Sequence, residues 1–169
     1  MPSIVVGETA ASEVDEHEQL VDAVLRASRA LVAVAARSLS DLEDDVTLAQ
    51  YRVLVELASR GPQRSAEIAD ALGVERSTAG RMCDRLLRKG LVQRRRETTD
   101  RRAVRISLTA DGRALVDEVT RRRRSEIARI LRRMPAADQR PVLVALRAFA
   151  DAAGEVPEQA WSLGWRAHQ

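Results

Sequence analysis

The chain has 169 residues, of which 45% are hydrophobic, 31% are charged and 2% are aromatic. This composition is typical of a globular, helix-rich protein with an aliphatic core, and it excludes a disordered or fibrous chain. The net charge is +3, with acidic residues concentrated before Asp45 and arginines after Arg76, which favours a polyanionic partner for the second half of the chain.

Several classes of protein are not expected from this sequence. No apolar run approaches the ~18 residues of a membrane span, and the first residues lack the basic and apolar segments of a signal peptide, so we expect a cytoplasmic protein without membrane contact. The single cysteine, Cys83, cannot form an internal disulfide. Together with His17 and His168 it forms no catalytic or metal-ligating pattern, so we predict no enzymatic activity, no metal and no other cofactor.

Residues 1–14 have no strong hydrophobic period and are predicted to form a flexible N-terminal arm. From Asp15 to Leu39 the pattern is helical, with two apolar stripes. A helix that is apolar on two sides needs two partners, its own domain on one side and a second subunit on the other. We therefore predict that residues 15–45 belong to a dimerisation region. The stripes are Leu20, Val24, Leu31, Ala35 and Leu39, and Val21, Leu25, Val32 and Ala36.

A winged helix-turn-helix domain is predicted over residues 46–110. Thr47 and Gln50 form a capping box at the start of one helix, and Gly61 with Pro62 ends it. Ser65 is predicted to cap the helix that follows. Two short helices, each closed by a glycine, then precede two short strands around a basic turn. This order is typical of a DNA-binding motif in which the second helix enters the major groove.

The second short helix, predicted over residues 75–90, has two distinct faces. Ala79, Met82, Cys83 and Leu86 form an apolar stripe that should face the core. The opposite face carries the candidate DNA-binding residues Arg76, Ser77, Thr78, Arg81 and Arg85, since hydroxyls and guanidinium groups suit base edges and phosphates. Gly80 weakens a helix, so a close approach of the helix backbone to DNA would explain it. For this helix alone, a solvated polar face remains an equal alternative.

The turn between the two strands is predicted to be a basic loop tip that contacts DNA. It would carry Arg94, Arg95, Arg96, Arg101 and Arg102, of which Arg96, Arg101 and Arg102 are the candidate contacts. A solvated turn with a charge bias is the alternative.

The remaining chain is predicted to be helical. Thr109 caps a long helix that ends near Met134, so that residues 111–137 connect the DNA-binding domain to the dimerisation region. Within it, some of Arg121 to Arg124 should be solvated and others should pair with acids of other helices. A last helix is predicted to begin near Asp138. No location is predicted for Trp161 and Trp165.

Three runs of this sequence resemble the MarR family of transcription regulators: LAQYRVLVELA, IADALGVERSTAGRMCDRLLRKGLVQR and DRRAVRISLTADG. The resemblance implies a mainly α fold with a small β-hairpin, in which a winged helix-turn-helix lobe joins a helical dimerisation base. It implies that residues 138–169 belong to this dimerisation region together with residues 15–45. It implies that Asp100 pairs with Arg102 and holds the shape of the turn. It also implies a small aromatic or amphipathic effector between base and lobe, for which Tyr51 is a weak candidate contact, although a core tyrosine is the better interpretation.

These observations predict a sequence-specific DNA-binding transcriptional regulator. It should act as a repressor, bind a roughly palindromic operator as a homodimer, and be released by a small ligand. The alternative is a winged-helix module that mediates protein–protein contact without specific DNA binding. The basic hairpin and the face with Ser77, Thr78 and Arg81 argue against that alternative.

Overall fold

The computed structural model describes residues 6–40, 45–96, 104–158 and Trp161, with side chains from Asp15 onward. The described residues form six helices and one antiparallel hairpin, which confirms the predicted mainly α fold class. The elements are α1 (Val6–Ser40), α2 (Leu48–Arg60), α3 (Ser65–Leu72), α4 (Arg76–Arg88), β1 (Val92–Arg96), β2 (Val104–Leu108), α5 (Ala110–Leu131) and α6 (Ala136–Ala152).

Two predicted boundaries are wrong. Helix α1 begins at Val6, so the predicted flexible arm of residues 1–14 is helical wherever the structure describes it. Alanine and glutamate in this stretch favour a helix even without a hydrophobic period. Strand β1 extends to Arg96, which places Arg94, Arg95 and Arg96 in a strand rather than at a loop tip.

The start of α2 has the predicted cap, whereas the start of α3 differs from the prediction. At α2, the side chain of Thr47 accepts a hydrogen bond from the Gln50 amide at 3.3 Å, and the Gln50 side chain accepts one from the Thr47 amide at 3.2 Å. This confirms the predicted capping box. At α3, Ser65 is the first helical residue and does not cap the helix. Instead, the Glu67 carboxylate accepts a hydrogen bond from the Arg64 amide at 2.6 Å.

One core joins α2, α4, the hairpin, α5 and the end of α1. Its fully buried side chains include Tyr51, Leu54, Leu57, Leu86 and Val119. The chain after α2 adds an isolated bridge to the hairpin, where Gln63 and Ile106 exchange backbone hydrogen bonds of 3.0 and 2.7 Å. The hairpin is therefore held against α2 as well as against the helix in front of it.

Helices α1 and α6 leave most of their apolar side chains exposed. No residue of α6 is buried, and α1 is covered only near its end, at Val34, Ala35, Ser38 and Leu39. None of the helices that the structure describes is long and apolar enough to cross a membrane. The exposed apolar residues of the two helices are Leu20, Val21, Leu25, Leu31, Val32, Leu143, Val144, Leu146 and Phe149.

Helix α5 begins against the turn that ends α4. Thr109 caps α5, since its hydroxyl accepts a hydrogen bond from the Gly112 amide at 3.0 Å and donates one to the Gly90 carbonyl at 2.6 Å. The Thr109 amide donates to the Leu91 carbonyl at 3.1 Å. A Cβ atom at position 112 would lie 2.0 Å from that same Leu91 oxygen. The glycine is therefore required by the close approach of two backbone segments.

We predict that Gly112→Ala lowers the free energy of unfolding by about 3 kcal/mol, at the upper end of the usual cost of overpacking. The added methyl group must displace backbone, which cannot rotate away as a side chain could. Gly80→Ala is the matched control, because a Cβ there meets no atom within 4 Å, and it should raise stability by about 1 kcal/mol through helix propensity. Chemical denaturation measures both. Equal unfolding midpoints for Gly112→Ala and the parent would contradict the close contact.

Candidate nucleic-acid interface

The turn between α3 and α4 sets the direction of α4. Gly73 adopts a left-handed conformation (φ 63°). Its amide donates to the Asp70 carbonyl at 3.2 Å, and the Val74 amide donates to the Ala69 carbonyl at 3.0 Å. This hydrogen-bond pattern ends a helix and reverses the chain. Helices α3 and α4 pack against each other after that turn, as in a helix-turn-helix.

Helix α4 has the two faces that the sequence predicts. Ala79, Met82, Cys83 and Leu86 are its buried residues. The candidate DNA-binding residues Arg76, Ser77, Arg81 and Arg85 are exposed, and Thr78 is half-buried. The structure thus brings the five candidates of this helix onto its solvent side.

Two of these candidates contact each other. The Arg81 guanidinium donates to the Thr78 hydroxyl at 3.0 Å. Both side chains are oriented by this bond in the first half of the helix, where recognition helices contact base edges. Gly80 lies between them in sequence, and the space beside its Cα is empty.

The hairpin places further basic groups beside α4. Arg96 is exposed at the end of β1 and pairs with Val104 of β2. Arg95 lies directly opposite Arg105, although like charges in such positions repel. The Arg105 guanidinium donates to the Pro62 carbonyl at 2.9 Å. A polyanion beside this pair would relieve the repulsion.

An ion pair that was not predicted from the sequence joins the hairpin to α4. The Arg94 guanidinium lies 2.6 Å from the Asp84 carboxylate, and both side chains are about half exposed. An exposed pair of this kind contributes only about 0–1 kcal/mol to stability, so its effect is mainly to fix the position of the hairpin on the helix. The sequence offers one hint of this pair, because Asp84 is the one acidic residue on the otherwise basic exposed face of α4.

The remaining predicted residues of the hairpin, Asp100, Arg101 and Arg102, lie outside the described residues. The pairing of Asp100 with Arg102 and the DNA contacts of the two arginines therefore stay predictions.

Cys83 is a core residue. Its side chain is fully buried, and burial raises the pKa of the thiol, while the nearby Arg94 acts in the opposite direction. Because the thiolate is the reactive form, this thiol is a poor nucleophile. In the described part of the chain, no three His, Cys, Asp or Glu side chains lie close enough to hold a metal ion.

Tyr51, the weak candidate for an effector contact, is a core residue with an exposed fraction of 2%. Its hydroxyl is buried and has no hydrogen-bond partner among the described residues. A buried hydroxyl without a partner is unfavourable, so this atom is suited to a hydrogen-bond partner that the described residues do not supply.

Comparison with known proteins agrees with this geometry. The sequence profile of the MarR family matches residues 46–104. The transcriptional repressor MdtR of Bacillus subtilis is 40% identical over 86 residues, which cover 51% of this chain and 56% of MdtR. The chain therefore spans little more than half the length of that relative.

Two solved structures extend the similarity beyond the central domain. RV1404 from Mycobacterium tuberculosis is 42% identical, with a TM-score of 0.78 over 83% of this chain and 95% of that chain. BpsR of Bordetella bronchiseptica, whose DNA binding is regulated by 6-hydroxynicotinic acid, is 26% identical, with a TM-score of 0.59 over 79% and 99%. From the profile match, the repressor similarity and the shared fold, we conclude that this chain belongs to the MarR family.

Proposed function

We propose that this protein is a sequence-specific DNA-binding transcriptional regulator. The observation that carries this proposal is the exposed face of α4, where Arg76, Ser77, Arg81 and Arg85 lie beside a hairpin rich in arginine. Helix α4 enters the major groove and presents its first turns to base edges. The hairpin contacts phosphates or the neighbouring minor groove through Arg96, Arg101 and Arg102.

Repression is the proposed direction of control. MdtR, the similar protein of Bacillus subtilis, is a transcriptional repressor. A dimer that covers a promoter blocks RNA polymerase without further machinery, whereas activation requires a contact with polymerase. A protein that binds chromosomal DNA in this way acts in the cytoplasm.

A homodimer is the proposed assembly, with residues 15–45 and 138–169 as its base. The exposed apolar residues of α1 and α6 support it, because a helix with no buried side chain gains little stability within a single chain. Association of two such faces removes apolar surface from water. A symmetric dimer also presents two copies of α4, which matches a roughly palindromic operator.

A small aromatic or amphipathic effector is proposed to release the DNA. The regulation of BpsR by 6-hydroxynicotinic acid shows such an effector in a protein of similar fold. Tyr51 is the candidate contact, because its buried hydroxyl lacks a hydrogen-bond partner among the described residues. The effector would act by changing the distance between the two copies of α4.

The alternative is a winged-helix module for protein–protein contact without specific DNA binding. It gives no reason for the repulsive pair of Arg95 and Arg105 or for an empty space beside Gly80. A gel shift with DNA from upstream of the protein's own coding sequence, at two salt concentrations, separates the two functions. No shift with cognate or random duplex at low salt would favour the alternative.

We expect sedimentation at micromolar concentration to give about twice the chain mass of 18.7 kDa. Leu146→Glu in α6 should shift the protein towards the monomer, because a charge would be buried in an apolar interface. Arg132→Ala, on an exposed side chain, is the matched control and should leave the dimer intact. A parent protein that sediments as a monomer would contradict both the dimer and the palindromic operator.

Two arginine variants should separate base reading from phosphate contact. Arg81→Ala should weaken cognate binding by roughly 1–3 kcal/mol and change random-duplex binding little, because a bidentate contact with guanine is lost. Arg96→Ala should weaken both and reduce the salt slope by about one unit. Titration of both duplexes across a salt series measures these effects, with Arg132→Ala as the control. Parent-like cognate affinity of Arg81→Ala would move base reading to Ser77, Thr78 or Arg85.

Gly80→Ala should have opposite effects on stability and on DNA affinity. The same methyl group that finds empty space in the free protein would meet the DNA backbone if α4 approaches it closely. Cognate affinity should therefore fall by about tenfold, equivalent to roughly 1.4 kcal/mol, while the thermal midpoint rises. Thermal unfolding and duplex titration on one preparation measure both. An unchanged affinity would show that no close approach occurs at this residue.

A further inference from the structure

The chain that follows α6 turns back towards the DNA-binding domain in a fixed geometry. Gly154 has a positive φ of 71°, its amide donates to the Asp151 carbonyl at 3.1 Å, and the Glu155 amide donates to the Ala150 carbonyl at 3.1 Å. These two bonds form a Schellman motif, which sets the direction of the chain after a helix. We call residues 154–158 together with Trp161 the C-terminal brace.

The brace is attached to α2 and to α5 by three polar contacts. Glu155 pairs with Arg52 of α2 at 3.3 Å, and the Gly154 carbonyl accepts a hydrogen bond from Arg60 of α2 at 3.1 Å. On the other side, Glu158 pairs with Arg124 of α5 at 2.7 Å. This pair also assigns a role to one member of the arginine run 121–124.

Trp161 adds an apolar contact to the same attachment. It is half-buried and packs against the hydrophobic core that joins α2, α4, the hairpin, α5 and the end of α1. Its indole Nε1 donates to the Val156 carbonyl at 3.0 Å, and its amide donates to the Glu158 carbonyl at 3.2 Å. The indole nitrogen thus joins two parts of the brace by a hydrogen bond, while the side chain packs against the shared core.

These contacts matter because α6 itself has no buried residue. In addition to the turn that joins α5 to α6, the brace connects the end of α6 to α2, which belongs to the lobe formed by α2, α3, α4 and the hairpin. Because the brace is attached to both α2 and α5, rotation of α6 relative to the lobe is restricted. A single attachment would leave a hinge about which α6 could rotate. Exposed ion pairs contribute little to overall stability, so the main effect of this arrangement is on orientation.

We propose that the C-terminal brace is a positioning segment for DNA recognition: it fixes the lobe relative to α6 and thereby sets the distance between the two copies of α4 in a dimer. The importance of this distance for DNA binding rests on the proposed function. The orientation of the lobe within one chain does not, and it can be measured without DNA.

The first experiment measures that orientation by pulsed electron paramagnetic resonance. Spin labels are placed at Asp70→Cys in α3 and Asp138→Cys in α6, both exposed positions, while fully buried Cys83 is inaccessible to the label. Labelled chain is mixed with an excess of unlabelled chain, so that only distances within one chain are recorded. The parent should give one narrow distance distribution, and Trp161→Ala should give a broader or shifted one.

Charge reversal provides the second test and does not depend on the indole. E158R and R124E each place like charges together and should broaden the distribution, whereas the double variant restores attraction and should narrow it again. E18R is the matched control, because Glu18 is an exposed carboxylate of α1 without a side-chain partner among the described residues. Distributions of W161A, E158R and R124E that all equal that of the folded parent would overturn the proposal.

The third experiment links the brace to DNA. From random duplexes, the parent selects a two-half-site sequence, and one base pair, about 3.4 Å, is then inserted between the half-sites. The parent should lose about tenfold or more in affinity on insertion, while E158R should lose less than about threefold, and the double variant should regain the parent's selectivity. If E158R bound both duplexes more weakly than the parent by the same factor, its selectivity for spacing would equal that of the parent. This result is expected of a protein that is merely destabilised, and it would overturn the proposal.

The two ideas can fail separately. If the parent selects no duplex, the proposed function fails, and the label distances still decide whether the brace positions the lobe. If the parent selects a duplex but E158R keeps its full spacing selectivity, the brace proposal fails and the proposed function stands.

Discussion

The DNA-binding lobe depends on the backbone amides and carbonyls of Gly90 and Leu91. Gly90 ends α4 with a positive φ of 71°, and the amides of Gly90 and Leu91 donate back to the carbonyls of Leu87 and Leu86, each at 3.0 Å. The Gly90 carbonyl accepts a hydrogen bond from the Thr109 hydroxyl, and the Leu91 carbonyl accepts one from the Thr109 amide. The end of α4, the base of the hairpin and the start of α5 are therefore fixed to one another by a few backbone atoms.

The features that the sequence predicted are those that depend on neighbouring residues. The capping box of Thr47 and Gln50 and the apolar stripe of α4 arise within one or two helical turns, so their spacing is visible in the sequence. The surface candidates of α4 followed from that stripe, because a helix that buries one face exposes the other.

The features that were missed depend on residues distant in sequence. Asp84 meets Arg94 only because α4 and β1 pack together, and the location of Trp161 depends on the turn at Gly154. The other two errors have local causes. At α3, the Glu67 carboxylate accepts the hydrogen bond of the Arg64 amide, so Arg64 is the cap residue and Ser65 is already the first residue of the helix. At α1, helix propensity extends the helix where no hydrophobic period could predict it.

Of the 28 lysine and arginine residues, only Lys89 is a lysine. The guanidinium group keeps its proton at any physiological pH and is not a target of lysine acetylation, which removes charge from many basic surfaces. Acylating enzymes or amine-reactive reagents would therefore find a single side-chain amine, at the end of α4, and would leave the positive surface almost unchanged.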